Sequence, residues 1–305
     1  MKGNEEKMFK SGIAKFATYG TVGLPAIPSE HKKLIDYSFK YYLGKTETAR
    51  PLFKEVRGDS IDTSYIYHKL TQSYAEATGW TSLSAPDILP DGARPTPEGL
   101  GTEDATATFN TYAKGYRIDR KLLNTGKDYV RNFIMKHSEL TAKRIAIDIN
   151  ATLYTNMASN AASSYAASAT WATSGDPVED LIDATNTFQK AAGGVEADFI
   201  ALHPDNHADI KKDLRFMNAD YTSAKMVETG KITPRPYGLD WISDTAVTKG
   251  TFLMGAKGKF GTVIVTEPYQ VAETKEGVAG TVYEAVTTLG DAYELPYYLL
   301  AGSGI

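Results

Sequence analysis

The stretch TGKDYVRNFIMKHSELTAKRIAIDINATLYTNM, residues 125–157, reads as one long amphipathic helix opened by Gly126. Val130, Phe133, Ile134, His137, Leu140, Thr141, Ile145, Ile147 and Ala151 recur at helical spacing and form a broad apolar stripe. Arg131, Lys136, Glu139, Lys143 and Asp148 fall mainly outside it. About 30 residues rising 1.5 Å each make a rod of roughly 45 Å. Such a helix also suits the core of an ordinary α/β domain, so the segment before it carries equal weight.

That segment runs from about Lys54 to Tyr116. Ile61, Thr63, Tyr65 and Tyr67 alternate with Asp62, Ser64, Ile66 and His68, which is a strand by period and by composition. Next come the breakers Pro86, Pro90, Gly92, Pro95, Pro97, Gly99 and Gly101. Alternation resumes at Ala105, Ala107 and Phe109 against Thr106, Thr108 and Asn110, and continues through Tyr116 and Ile118. Two long strands with a breaker-rich tip predict an extended hairpin. A structureless loop of this length is improbable inside a compact domain, so its use is to reach another molecule. The tip, residues 84–101, holds Asp87, Asp91 and Glu98 against Arg94 and is expected to be ordered by a neighbouring subunit. A long helix beside an extended loop is poor apparatus for catalysis and good apparatus for overlapping a neighbour.

Composition sets outer bounds. The 305 residues are 42% hydrophobic and 23% charged, ordinary values for a soluble globular chain. There is no apolar run of membrane-spanning length, so no membrane partner is expected, and no secretory signal at the N-terminus. Cysteine is absent, which excludes disulfides, thiolate nucleophiles and Cys-based metal sites. The net charge of −4 divides unevenly. Residues 1–57 hold eleven basic and six acidic residues, a net of +5, and the remainder carries −9. A basic arm on an acidic body suggests a segment that lies on a neighbouring subunit or a nucleic acid. Residues 1–28 read as an arm with little regular structure. Ser29 caps a helix predicted through about Leu43, with Leu34, Ile35, Tyr41 and Tyr42 on its apolar side and Gly44 as its stop.

After the long helix, residues 158–175 are rich in Ala, Ser and Thr and read as a connector and domain boundary. Asp176-Pro177-Val178-Glu179 supplies an N-cap, a first-turn proline and an acid at the capping-box position. The helix carries Leu181, Ile182 and Phe188 and ends at Gly193-Gly194. A buried strand is predicted over Ala197–Leu202, a helix over Pro204–Leu214, and strands at Thr251–Met254, Thr262–Val265, Thr281–Val286 and near Tyr297–Leu300. The mixture lacks a regular βαβ repeat and predicts an α+β fold.

The chemistry of an enzyme is thin. No GxSxG, HExxH or GxGxxG occurs. Gly250 to Lys257 imitates a phosphate loop, but Ala256 stands where the lysine belongs and the context is strand-like. His203 and His207, four apart with Asp205 and Asp209 interleaved, would share one helical face, which is the geometry of a chelate. No third ligand is evident. The structural account is that Pro204 and Asp205 begin and cap a helix. Lys211, Lys212 and Arg215 are too few for a nucleic-acid footprint. Arg57-Gly58-Asp59 is a known adhesion tripeptide, but Gly58 is expected to turn the chain into the hairpin. No catalytic, cofactor-binding or metal-binding residue is assigned and no cofactor is expected.

Four stretches in order resemble the major capsid proteins of tailed phages and viruses, the Hong Kong 97-type or Johnson fold. They are Glu98-Gly99 with the strand Tyr112 to Asp119; the helix segment Glu139 to Asp148; Ala197 to Pro204; and Gly238 to Ser243 followed by Gly250 to Gly255. The resemblance covers about Pro51 to Ile305. It implies an N-terminal arm and short helix (1–50), an extended loop with flanking peripheral-domain strands (51–120), a spine helix and connector (121–175), an axial domain (176–275) and a return to the peripheral domain (276–305). It further implies a non-enzymatic subunit that self-assembles into hexamers and pentamers of an icosahedral shell. That shell encloses double-stranded DNA without sequence-specific binding. The virion capsid would be assembled in the host cytoplasm with portal and scaffolding or decoration proteins as partners. No long N-terminal scaffolding region is expected. Some members cross-link through a lysine and an asparagine; Lys69 lies in the loop without an identifiable partner, and that chemistry is not carried over. The alternatives are an encapsulin-like nanocompartment shell enclosing cargo proteins and an α+β metal-dependent enzyme using His203 and His207.

Overall fold

The computed structural model describes residues 28–59, 64–73, 81–82, 102–119, 127–212, 238–276 and 280–305. The elements are α1 (Pro28–Thr46), a 3₁₀ turn (Arg50–Leu52), β1 (Lys54–Arg57), β2 (Ser64–Leu70), β3 (Gln72–Ser73), β4 (Thr81–Ser82), β5 (Thr102–Thr108), β6 (Asn110–Asp119) and α2 (Lys127–Asn160). They continue with β7 (Ser163–Ala166), α3 (Pro177–Ala191), β8 (Phe199–Leu202), α4 (Pro204–Lys212), β9 (Asp240–Ser243) and β10 (Thr251–Gly255). The last are β11 (Thr262–Glu276), β12 (Gly280–Ala292), a 3₁₀ turn (Pro296–Tyr298) and β13 (Leu299–Ser303). The arm at residues 1–27, the loop tip at 84–101, Gly126 and Arg215 lie outside the described residues.

Two sheets share the long helix α2. The first has strand order β1-β11-β12-β6, with β1 parallel to β11 and the rest antiparallel. The second has order β7-β13-β10-β8-β9. One apolar cluster joins them along α2. It takes Tyr116, Val263, Val265, Tyr283, Ala285 and Leu289 from the first sheet, and Phe199, Ala201, Leu253 and Leu299 from the second. The alternation of strand side chains then dictates a second layer. Ile200, Leu202, Phe252, Met254 and Leu300 point to the far face of the second sheet and bury Leu181, Ala184 and Phe188 of α3. β8 is thus apolar on both faces, which its unbroken Phe-Ile-Ala-Leu run requires.

Local chemistry starts and stops these elements. The Asp176 carboxylate accepts from the N–H groups of Val178 and Glu179, capping α3 as its sequence predicts. Beyond its end, Gly193 and Gly194 take φ of 64° and 86°, the left-handed conformation that terminates helices. Gly302 faces Phe252 across the β10–β13 ladder, and a Cβ there would collide with the ring.

Five expectations change. Helix α1 runs through Gly44 to Thr46, because Phe39 and Leu43 seat that last turn in the core. Leu140 and Ile147 do not belong to the buried stripe: they are 64% and 39% exposed. The buried face is Ile134, Ser138, Ala142, Ile145, Ile149, Leu153 and Met157, and at 100° per residue Leu140 and Ile147 turn away from it. The predicted return strand Ala105–Ile118 is two strands divided at Phe109. Only β5 pairs with β2, while β6 joins β12 in the first sheet. The connector 158–175 contains β7, which extends the second sheet beside β13. Finally, the boundary at 275/276 falls near the tip of the β11–β12 hairpin. That hairpin belongs to the first sheet, while β13 returns to the second, because hydrogen-bond partners rather than chain order define each layer.

Candidate assembly surface

The ribbon of β2 and β5 is anchored at one face and open at the other. Tyr65↔Ala107 and Tyr67↔Ala105 are cross-strand pairs on one side. Tyr67 and Ala107 bury against Ile264 and Ala292 of the first sheet, on the face opposite α2. On the other side Ile66 is 67% exposed. His68 Nδ1 and Asp104 Oδ1 are 2.7 Å apart, an exposed pair of modest worth, and the half-buried Lys69 lies 3.5 Å from the exposed Glu103. The ribbon is therefore held to the first sheet by one face only. A second apolar exposure is on α2, where Leu140 and Ile147 sit two turns apart on the outer face. Beside them along the helix are the i,i+4 pairs Lys143–Glu139 and Arg144–Asp148.

The two sheets are tied by a polar junction that the sequence pattern did not single out. Asn150 is buried on α2. Its Oδ1 accepts from the N–H groups of Thr48 and Ala49 at 3.2 and 3.3 Å. Its Nδ2 donates to the Thr46 carbonyl at 3.1 Å and to Asp244 Oδ2 at 2.9 Å. Thr48 also donates its hydroxyl to Asp244, and Tyr154 donates to Thr48 at 3.0 Å. Asp244 in turn accepts from the N–H of Ala246. The available signal was an asparagine at a helix position otherwise occupied by Ile145, Ile149 and Leu153. A second buried acceptor, Asp180, holds the Trp171 indole N–H and the Tyr165 hydroxyl at 2.7 and 2.8 Å.

The histidine pair resolves into packing. His203 Nδ1 accepts from the N–H of Asp205 at 3.2 Å, so His203, not Asp205, caps α4. Asp205 instead pairs with Lys249 at 2.8 Å. His207 stacks on Trp241 with ring centroids 6.0 Å apart, and burial, helped by Lys211, pushes its pKa down to about 4, so it is neutral near pH 7. Among the described residues no three His, Asp or Glu side chains gather to hold a metal ion. The phosphate-loop mimic is strand β10, and Lys257 pairs with Asp240. In Arg57-Gly58-Asp59, Gly58 continues the ladder by donating to Val265, and a Cβ there would press on Ile264. Among the described residues no helix is long and apolar enough to cross a membrane.

Residues 102–295 match the family described as Phage capsid protein. The chain belongs to this phage capsid protein family. It is a structural shell protein, not an enzyme, and its place is the capsid. The metal-enzyme alternative is thereby overturned. No curated protein sequence matches the chain. Solved structures do. The virus-like particle from Pyrococcus furiosus aligns at 12% identity and a TM-score of 0.60, over 90% of this chain and all of that one. The capsid of the cyanophage P-SCSP1u aligns at 11% and 0.62, over 84% and 88%. A protein of Mycobacterium phage Che8 aligns at 11% and 0.59, over 84% and 90%. The fold is the Hong Kong 97-type α+β architecture that the resemblance implied.

Proposed function

We propose that this capsid protein is the repeating subunit of an icosahedral shell, built from hexamers and pentamers of itself and enclosing double-stranded DNA. The observation that carries this reading is the β2–β5 ribbon: one face packs on the first sheet through Tyr67 and Ala107, while the other leaves Ile66 67% exposed. A large apolar side chain left exposed on an anchored ribbon gains nothing within its own subunit and suits contact with another. In this reading the second sheet with α3 and α4 is the axial part, and the first sheet with the ribbon is the peripheral part. Assembly takes place in the host cytoplasm, with portal and scaffolding or decoration proteins as partners, and DNA is held without sequence reading.

One observation favours a second reading. The likeness to the Pyrococcus virus-like particle spans that chain's whole length, which fits a nanocompartment enclosing proteins. Electron microscopy of the purified chain tests the shell itself: closed particles are expected, and a protein that stays monomeric at all concentrations and salt conditions overturns it. The content separates the two readings. Nuclease-protected double-stranded DNA in particles from the producing cells supports a phage capsid, and a stoichiometric protein cargo without DNA supports the nanocompartment.

A further inference from the structure

β1 is the outer strand of the first sheet and is paired only on the side of β11. The parallel ladder fixes which of its groups face outward. Lys54 and Gly58 donate their N–H groups to the carbonyls of Gly261 and Val265. Alternation then turns Val56 to β11 as well, and leaves the N–H and C=O of both Glu55 and Arg57 facing away from the sheet. All four residues of β1 are exposed, and among the described residues no backbone hydrogen bond is made on that edge. Val56, at the centre of the strand, is a large apolar side chain left 41% exposed. Glu55 is half exposed and is held by Arg50 at 2.9 and 3.2 Å, which leaves lone pairs on both carboxylate oxygens. Arg57 has no ion-pair partner among the described residues.

We propose that β1 pairs antiparallel with β1 of a second copy of the chain, across a two-fold axis at Val56. The two four-stranded sheets then become one continuous sheet. The segment Lys54-Glu55-Val56-Arg57 is complementary to itself in this one register. Glu55 lies opposite Arg57 of the second copy and Arg57 opposite its Glu55. These are the residues whose backbone groups face outward, so each opposed pair also exchanges two backbone hydrogen bonds. Val56 meets Val56 of the second copy as the non-hydrogen-bonded pair between them, where side chains approach closest. A slide of two residues one way sets Glu55 against itself. A slide the other way sets Arg57 against itself and Glu55 against Asp59. Charges on an edge strand ordinarily oppose association. Here their alternating sign forbids the wrong registers and permits one. The proposal rests on the shell reading, because an icosahedral shell contains two-fold axes and an isologous contact sits on such an axis.

The test is shell assembly by the full-length chain carrying Arg57→Glu, Glu55→Arg, or an equal mixture of the two, read by light scattering and electron microscopy. Each variant alone places like charges opposite one another and should need an about tenfold higher subunit concentration than wild type. Unassembled Arg57→Glu should melt as wild type does. The mixture should assemble near the wild-type concentration, because every Glu then faces an Arg and an isologous contact gives each copy one partner. A second measurement does not depend on charge. The chain has no cysteine, so Val56→Cys can form a disulfide only with another copy at the same position. Assembled Val56→Cys shells treated with oxidised glutathione should yield covalent dimers, and Leu140→Cys shells treated in the same way should not yield them to a similar extent. A mixture no better than its components, or shells of Val56→Cys that stay monomeric on oxidation, would overturn the β1 pairing and leave the shell reading standing. Failure of the wild type to assemble under any condition would overturn both. Cross-linking of Val56→Cys to a different protein alone, in particles from producing cells, would give the edge to that protein and overturn the second-copy assignment.

Discussion

Glu47 costs the isolated subunit stability, and the sign follows from its titration. Its folded pKa of about 7 lies above its ordinary value of 4.5, so the folded chain holds the proton more tightly than the unfolded chain. Stability is therefore greatest below pH 4.5 as far as this group is concerned, and it falls as pH rises through 7. The full loss is about 3 kcal/mol. Urea denaturation of unassembled subunits at pH 5.5 and pH 8 should show the decline, and Glu47→Gln should remove most of it. Asn150 acts in the opposite direction. Asn150→Ala leaves the N–H groups of Thr48 and Ala49 and the Asp244 carboxylate short of partners inside the junction. A loss of about 3 kcal/mol in unfolding free energy is expected, because each abandoned buried group costs about 1–3 kcal/mol.

At the scale of elements, α2 has one face committed to folding and another free for contact. Leu140→Asp should change subunit stability by no more than about 0.5 kcal/mol, as exposed positions do. Ile149→Asp should unfold the subunit, since it buries a charge where the side chain has no exposure. Circular dichroism melts of the two variants separate these outcomes, and equal melts would mean that the faces are misassigned. Leu140 shows why periodicity alone placed it wrongly. Nine apolar or small residues over 22 positions cover too wide an arc for one face, and composition does not say which part meets the core. The caps were legible because they are local: Asp176 and the glycines at 193 and 194 act on backbone groups a few residues away. The split at Phe109 was not legible, since β5 and β6 share one alternating pattern and differ only in distant partners, β2 and β12. The histidine pair was legible as a spacing but not as a role, which Trp241 decides from 34 residues further along the chain. Glu47 gave no signal in sequence, because its burial depends on Tyr269 and the turn after α1 arriving from opposite ends of the chain.

Across the described residues, the two sheets are joined by the shared face of α2, the Asn150–Asp244 junction and the chain crossings on either side of β11–β12. The hairpin leaves the second sheet after β10, completes the first sheet, and returns as β13 to pair again with β10. Neither sheet is finished by a continuous stretch of chain, so the subunit is expected to unfold as one cooperative unit. Coincident transitions by tryptophan fluorescence and far-ultraviolet circular dichroism would show this. Trp171 and Trp241 report on the second sheet and its cover.

The parallel pairing of β1 with β11 has a consequence in time. Lys54 lies beside Thr262, more than two hundred residues later. At a translation rate of about 5–20 residues per second, β1 emerges about 10–40 s before its partner exists. During that interval the β1 strand has no ladder partner. A nascent subunit therefore cannot present a completed surface to its neighbours until β11 has been made, which separates synthesis from premature association. Ribosome-stalled chains ending before residue 262 should be cut by protease near β1, and chains extending past residue 292 should be protected there.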